Sequence, residues 1–318
     1  MTAALLILSC PTIPHDNVRN PMNIAVSNMI VGLNLIFIIT FIFLKYKCIC
    51  FSDNLKISSL RLCKLGNNLS IIMFRHQGKN RTFIHNLRLA TLLSFVAGIV
   101  NITGVLAVKT LTTNVTGHFA FFAEEVIKQN YSAAITFFVF TLFFLAGAFI
   151  SNFLAESVAI KRPDLSHVIP ISLEIAILLL VGFFGVQGDL STFSGKWIAF
   201  SMLFSMGVQN SMVTQISNSI VRTTHLTGLF TDLGIELSQL FFYKKVNERK
   251  RLNASIYLRL SIIVFFFIGC ISGGFLYTFF EIKTLFVAAF FLLLALMYDY
   301  VRLQFFVLKR KKFTRVLK

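Results

Sequence analysis

The chain has 318 residues, of which 56% are hydrophobic and 14% are charged, and its formal net charge is +17. Soluble domains average about 45–50% apolar and about 25% charged residues, so both deviations indicate lipid as the solvent of this protein. The basic residues lie in short clusters between long apolar stretches, a pattern that orients membrane proteins and leaves no continuous basic surface for nucleic acid.

The first 72 residues are predicted to be an N-terminal extension with one possible extra span. Met1–Cys10 has neither the basic start nor the length of apolar sequence that a signal peptide needs. Asn28–Leu44 is the candidate extra span, and lysines follow it. Alternatively, translation starts at Met73 and the upstream stretch is dispensable; the sequence leaves both interpretations open.

Six later segments each offer about the 20 mostly apolar residues that a membrane span requires. They are Leu89–Val108, Ser132–Leu154, His167–Val186, Trp197–Val213, Tyr257–Tyr277 and Leu285–Leu308. Basic clusters alternate with these segments so that a six-span topology collects nearly all cations on one side. We therefore predict an all-α integral membrane protein of about six transmembrane helices, over residues 73–308, followed by a basic tail at 309–318. The expected location is the bacterial cytoplasmic membrane, with the C-terminus in the cytoplasm.

Two stretches of this membrane domain share an ordered set of polar residues. Each reads G-x-x-N, then T-x-x-T-G, then a carboxylate eight residues after that glycine, starting at Gly98 and at Gly207. The matched positions are Asn101 and Asn210, Thr113 and Thr224, Thr116 and Thr227, Gly117 and Gly228, and Glu125 and Glu236. With three spans in each unit (about 89–188 and 196–308), the second unit would enter from the opposite side. Such inverted repeats are common in secondary transporters.

Each T-x-x-T-G motif is expected to break a helix. Glycine permits the backbone angles of a break, and threonine hydroxyls can cap the helix that follows. The functional interpretation is a pair of broken or re-entrant helices along a polar pathway. Two alternatives stay open: interfacial amphipathic helices on the membrane surface, or two further spans that would make eight membrane segments and a parallel repeat.

Three further polar residues lie within or at the ends of predicted spans. Asn101 and Asn210 need hydrogen-bond partners in lipid, and are expected either to contact each other or to contact a solute. Glu174 is an intramembrane carboxylate, which is a functional candidate as a proton carrier. The alternative for Glu174 is a side chain near the cytoplasmic mouth that reaches water.

The remaining candidates surround the two motifs. His118 and His225 either titrate near neutral pH and couple transport to protons, or are solvated or capping residues. Asp232 and Glu236 are four residues apart and so share a helix face, whereas Glu125 has Lys128 at pairing distance along its helix.

Small residues recur in pairs with four-residue spacing, where they allow close helix packing in lipid: Gly147 with Ser151, and Gly269 with Gly273. No nucleotide-binding, metalloprotease or hydrolase motif is present in the sequence. We accordingly predict no catalytic residue, no metal and no cofactor. The expected partners are the lipid bilayer and an unknown small solute, with a homo-oligomer as a further possibility.

Between about Met73 and Leu308 the chain resembles the YoaK family of bacterial membrane proteins. The resemblance is carried by the run Leu93–Asn101, by Thr116-Gly117, and most specifically by Arg222–Gly228. The first motif departs from the family's usual Thr-Gly-Asn, because His118 takes the third place. The resemblance implies a polytopic inner-membrane protein and supplies no activity.

The leading functional prediction is a secondary transporter or permease for a small solute. The second is a membrane scaffold or sensor that transports nothing, in which the same small residues only pack helices. The third is a membrane-embedded enzyme that depends on one or two carboxylates.

Overall fold

The computed structural model describes residues 83–162, 165–185 and 193–316. In these ranges the chain is helical, which confirms the all-α prediction for this part of the protein. The elements are α1 (Phe83–Val108), α2 (Val115–Ile127), α3 (Tyr131–Ala159), α4 (Val168–Phe184), α5 (Phe193–Ser217), α6 (Leu226–Gln239), α7 (Val246–Phe280), a 3-10 turn (Glu281–Thr284) and α8 (Leu285–Val316). The predicted extension at 1–72, the candidate span Asn28–Leu44 and the alternative start at Met73 lie outside the described residues.

Each of the six predicted apolar segments lies mainly in a separate long helix: α1, α3, α4, α5, α7 or α8. The two T-x-x-T-G motifs fall where short helices begin, at α2 and α6. The segment predicted as a basic tail, 309–318, continues α8 as far as Val316.

Three stretches of the described chain are long and apolar enough to cross a membrane, judged by length and composition: Phe83–Val108, Tyr131–Ala159 and Val246–Val301. The last of these contains α7, the 3-10 turn and most of α8. Helix α4 is equally apolar but has 17 residues. Helix α5 is not among these stretches, since Gln209 and Asn210 interrupt its apolar sequence.

Many large apolar side chains on these helices face outward. On α3, Leu145 is 63% exposed and Phe149 is 67% exposed, and on α7 Phe267 is 64% exposed. Large apolar side chains on the outside of a helix bundle are disfavoured in water and favoured in lipid. The apolar helices are therefore compatible with a membrane protein.

The most extensive helix contacts join α1 to α7 and α3 to α5. Glycines make both contacts close. A Cβ atom added at Gly98 or Gly269 would collide with a backbone carbonyl of the facing helix, and one added at Gly147 or Gly207 would do the same. Ser151 adds a hydrogen bond from its hydroxyl to the Val208 carbonyl, at 3.1 Å.

Helix α1 lies in the interior of the described bundle, because most of its residues are buried and it also contacts α5 and α8. The Gln209 amide of α5 donates to the Leu93 carbonyl of α1 over 2.7 Å. This bond joins α1 to α5 within the buried part of the bundle.

Candidate functional site

Two connections with the same construction leave this core. The first connection, residues 109–114, joins α1 to α2, and the second connection, residues 218–225, joins α5 to α6. Each opens with a residue in the left-handed region, Lys109 with φ 54° and Asn218 with φ 54°. A left-handed residue directly after a helix ends the helix and turns the chain away from its axis.

An asparagine one to two turns before the end of the helix holds each connection. The Asn101 side-chain oxygen accepts from the Thr112 backbone amide at 3.2 Å and from the Thr113 hydroxyl at 3.0 Å. The Asn210 oxygen accepts from the hydroxyl of Thr224 at 2.8 Å and from that of Thr223 at 3.4 Å. These bonds tie the loop that follows each helix back to the helix itself.

Two expectations need correction on this geometry. Asn101 and Asn210 do not hydrogen-bond to each other, because each oxygen is occupied by the connection that follows its own helix. The threonine hydroxyls of the motifs do not cap the next helix either. Thr113 and Thr224 donate backwards to the asparagines, while Thr116 and Thr227 are exposed.

The residue between the motif's first threonine and the next helix takes the N-cap position instead. Asn114 caps α2, and its side-chain oxygen accepts from the Gly117 amide at 3.0 Å. His225 is the N-cap of α6 and makes no capping bond with its side chain. In both helices the cap side chain lies over the motif glycine, so a Cβ atom at Gly117 or Gly228 would collide with it.

After the first connection, the short helix is anchored by aromatic packing. His118 is buried, and its Nε2 lies 2.8 Å from the Leu111 carbonyl, which fixes the loop to α2. Its ring contacts Phe140 of α3 at 5.2 Å, and the Phe121 and Phe137 rings pack at 5.3 Å. Glu125 lies at the far end of α2, where Lys128 and Asn130 bond it at the surface.

After the second connection, the short helix is anchored by ion pairs. Arg259 of α7 donates from Nε to Glu236 at 2.9 Å and from Nη1 to Asp232 at 2.8 Å. The Ser255 hydroxyl also donates to Glu236, at 2.5 Å. The two carboxylates share a helix face as their spacing indicated, and that face is directed at α7.

Arg259 is the residue that the sequence analysis missed. Its signal was available, because Arg259 lies inside the predicted span Tyr257–Tyr277, and a cation within a membrane segment requires a partner. The loop cations that indicate topology do not include Arg259, because it lies within a predicted span.

A cavity of about 290 Å³ opens beside this network. It lies between the second connection, the start of α6 and the third and fourth turns of α7. Its polar lining includes Arg222, His225, Asp232, Ser255 and Arg259. A more open hollow of about 470 Å³ continues on the other side of Ser255, next to Glu236.

Glu174 lies apart from both connections, on α4. It is 0% exposed, and neither carboxylate oxygen has a hydrogen-bond partner among the described residues. The alternative that Glu174 reaches water at a helix mouth is therefore wrong for this conformation. Helix α4 packs against α5 and α8.

The described residues contain no cluster of three or more histidine, cysteine, aspartate or glutamate side chains arranged to hold a metal ion. Fold and site thus define a helical protein with membrane-span candidates and two matched connections. Residues 89–298 match the family model described as protein of unknown function (DUF1275), and the chain belongs to this family. Neither the curated proteins nor the solved structures include a match to it.

Proposed function

We propose that the chain is a secondary transporter or permease for a small solute. The observation that carries the proposal is the matched pair of connections, each formed by an interrupted helix, an asparagine–threonine clasp and a short second helix. Interrupted helices at corresponding positions of two halves are where secondary transporters place their substrate sites.

The helix contacts support a duplicated architecture. Helix α1 packs on α7, and α5 packs on α3, so each half contributes one helix to each close pair. The glycines follow the same exchange, since Gly98 meets α7 and Gly207 meets α3. A two-fold rotation that relates units 89–188 and 196–308 would convert the contact of α1 with α7 into the contact of α5 with α3. With three spans in each unit, we propose the inverted form of the repeat.

The proposed membrane placement uses six spans and puts the C-terminus in the bacterial cytoplasm. In that topology the first connection lies on the outer side, and the second connection lies on the cytoplasmic side beside the basic start of α7. The short helices α2 and α6 are then re-entrant or interfacial. Membership in the YoaK group is part of this proposal.

Glu174 is the residue that we propose as the proton carrier. It is a carboxyl enclosed by apolar helices, away from both connections and without a hydrogen-bond partner in the described chain. Carboxyls in such positions mark proton relays in pumps and transporters. His118 is a poorer candidate, because its bond to Leu111 and its aromatic neighbours give it a structural role.

Two other functions make different predictions. A scaffold or sensor keeps its fold and shows no solute phenotype when Thr116 or Thr227 becomes Val, whereas a transporter loses uptake or efflux. An enzyme depends on Glu174, Asp232 or Glu236. The geometry favours the enzyme least, because Arg259 and Ser255 already engage Asp232 and Glu236.

The proposal is tested by thiol accessibility in intact cells. Single cysteines are placed along 113–125 and 224–236 of a cysteine-free chain and treated with a membrane-impermeant reagent. We expect the two segments to label from opposite sides, with labelling that continues past the exposed positions Thr116 and Thr227. Phe149→Cys is the matched control, since its 67% exposure faces lipid in the proposed topology and should give no labelling.

Labelling of both segments from the same side would make the repeat parallel and remove the inverted architecture. Labelling confined to the first residues of each segment would show that no water-filled path exists, and the scaffold interpretation would replace the transporter.

A further inference from the structure

The cavity beside the second connection has the size and charge of a site for a small ligand. Its volume of about 290 Å³ is at the lower end of the roughly 300–1,000 Å³ typical of ligand pockets. Two arginines and one aspartate line it, so its formal charge is positive even with His225 neutral. The occupant that fits these walls is small and anionic.

The two arginines are in different states. Arg259 is engaged by Asp232 and Glu236, and its side chain is 23% exposed. Arg222 is exposed at the cavity, and no described residue accepts a hydrogen bond from it or pairs with it. A guanidinium that lines a cavity and pairs with no protein carboxylate is available to an anion. Its planar fork of donors matches the oxygens of carboxylate and phosphate groups.

The acidic network holds Arg259 in place without cancelling Arg222. Glu236 is 13% exposed and does not line the cavity, so it acts from behind on Arg259. Asp232 is 49% exposed at the cavity wall and takes the other end of the same guanidinium. Arg222 therefore remains as the cation without a partner among the described lining residues.

We propose that this cavity binds a phosphate-type anionic group, with Arg222 as the direct ligand and Arg259 as the fixed second cation. The inference rests on the proposed function, and it assigns an anion as the solute class of the transporter. Two sources offer the same chemistry: a small phosphate-bearing solute, and the headgroup of an anionic lipid at the cytoplasmic surface.

The test uses the purified full-length protein in nanodiscs of phosphatidylcholine, titrated with inorganic phosphate against sodium chloride of equal ionic strength. The readout is the thermal unfolding midpoint. A second arm replaces part of the lipid by phosphatidylglycerol without added phosphate. Arg222→Gln is the site variant, and Lys109→Gln, at the start of the first connection, is the matched control for loss of a surface cation.

We expect phosphate to raise the unfolding midpoint, Arg222→Gln to weaken the apparent affinity at least tenfold, and Lys109→Gln to leave it unchanged. An effect of phosphatidylglycerol alone that also requires Arg222 would identify the headgroup as the source. The proposal is overturned if neither probe stabilises the protein, or if Arg222→Gln responds as the unmodified chain does. Phosphate binding that requires Arg222, combined with thiol labelling confined to the first residues of each segment, would support the anion site and contradict the transporter proposal.

Discussion

The first connection leads into aromatic rings and the second leads into ion pairs, although both begin with a left-handed residue and are held by an asparagine of the preceding helix. Four residues after the motif glycine stands Phe121 in the first short helix and Asp232 in the second. Ten residues before the facing glycine of the partner helix stands Phe137 in one half and Arg259 in the other. The ring contact at 5.3 Å thus matches the ion pair at 2.8 Å.

This difference separates what the architecture needs from what a site needs. Both connections share the asparagine clasp and the left-handed residue, and glycines of the adjoining helices allow close packing, so these features belong to the architecture. Around the first connection, His118 and the phenylalanine rings pack on one another. The polar cavity lies at the second connection, which is where the proposal places recognition.

The largest effect is expected at the close helix contacts, where glycines serve both helix pairs. Gly269→Val should destabilise the protein by about 3 kcal/mol, because a side chain there collides with the backbone of α1 rather than with a movable side chain. Chemical unfolding in detergent micelles measures the effect. Gly234→Ala is the control: nothing lies within 4 Å of that position, and the better helix propensity should stabilise by about 0.5–1 kcal/mol. Equal behaviour of the two variants would contradict the packing.

The next largest effect is a loss of stability on removal of an ion pair, which is expected only beside the second connection. Arg259→Gln leaves Asp232 and Glu236 without their cation, and the expected loss is about 2 kcal/mol after allowance for the partial exposure of Asp232. Restoring the apolar pattern of the first half, by Asp232→Phe with Arg259→Phe, should recover part of that stability and abolish phosphate binding.

Lys128→Gln is the control for this charge removal. The hydrogen bonds and charges of Glu124 and Glu125 raise the pKa of the Lys128 ammonium, but all of this occurs at an exposed position. We expect no measurable change in stability from it. A loss as large as that of Arg259→Gln would show that any cation removal destabilises the chain.

Periodicity and residue chemistry could predict the helices and the matched motifs, because both are local properties of the sequence. Asn101 and Asn210 could be singled out, since an amide in an apolar helix needs a partner. Their partners could not be chosen, because a helix that stops seven residues later brings its own loop within reach, and that depends on the left-handed turn at Lys109 or Asn218. The direction of the charged face of α6 depends on its docking against α7, which no local pattern encodes.

The two asparagines should differ in a way that sharpens the comparison. Asn101 accepts from a backbone amide and a hydroxyl, whereas Asn210 accepts from two hydroxyls, which can turn to other acceptors. Asn101→Ala should therefore cost about 1–2 kcal/mol and Asn210→Ala about 0.5–1 kcal/mol, because an unsatisfied buried amide is the more expensive loss. Hydrogen exchange at the Thr112 amide gives a local readout. A larger cost at Asn210 would contradict this ordering.

The smallest effect concerns the two helix caps, and it bears on why His225 is there. Asn114→Ala removes a bond to the Gly117 amide and should destabilise by about 1 kcal/mol, while His225→Ala removes no capping bond and should change stability little. His225→Asn, which copies the first connection, should then stabilise α6 by several tenths of a kcal/mol. Because His225 lines the cavity, the same His225→Asn variant should weaken phosphate binding while the protein becomes more stable. A gain in stability together with a loss of phosphate binding would show that His225 serves the anion site. If His225 were only an imperfect helix cap, replacing it by asparagine would improve both stability and binding or leave them unchanged.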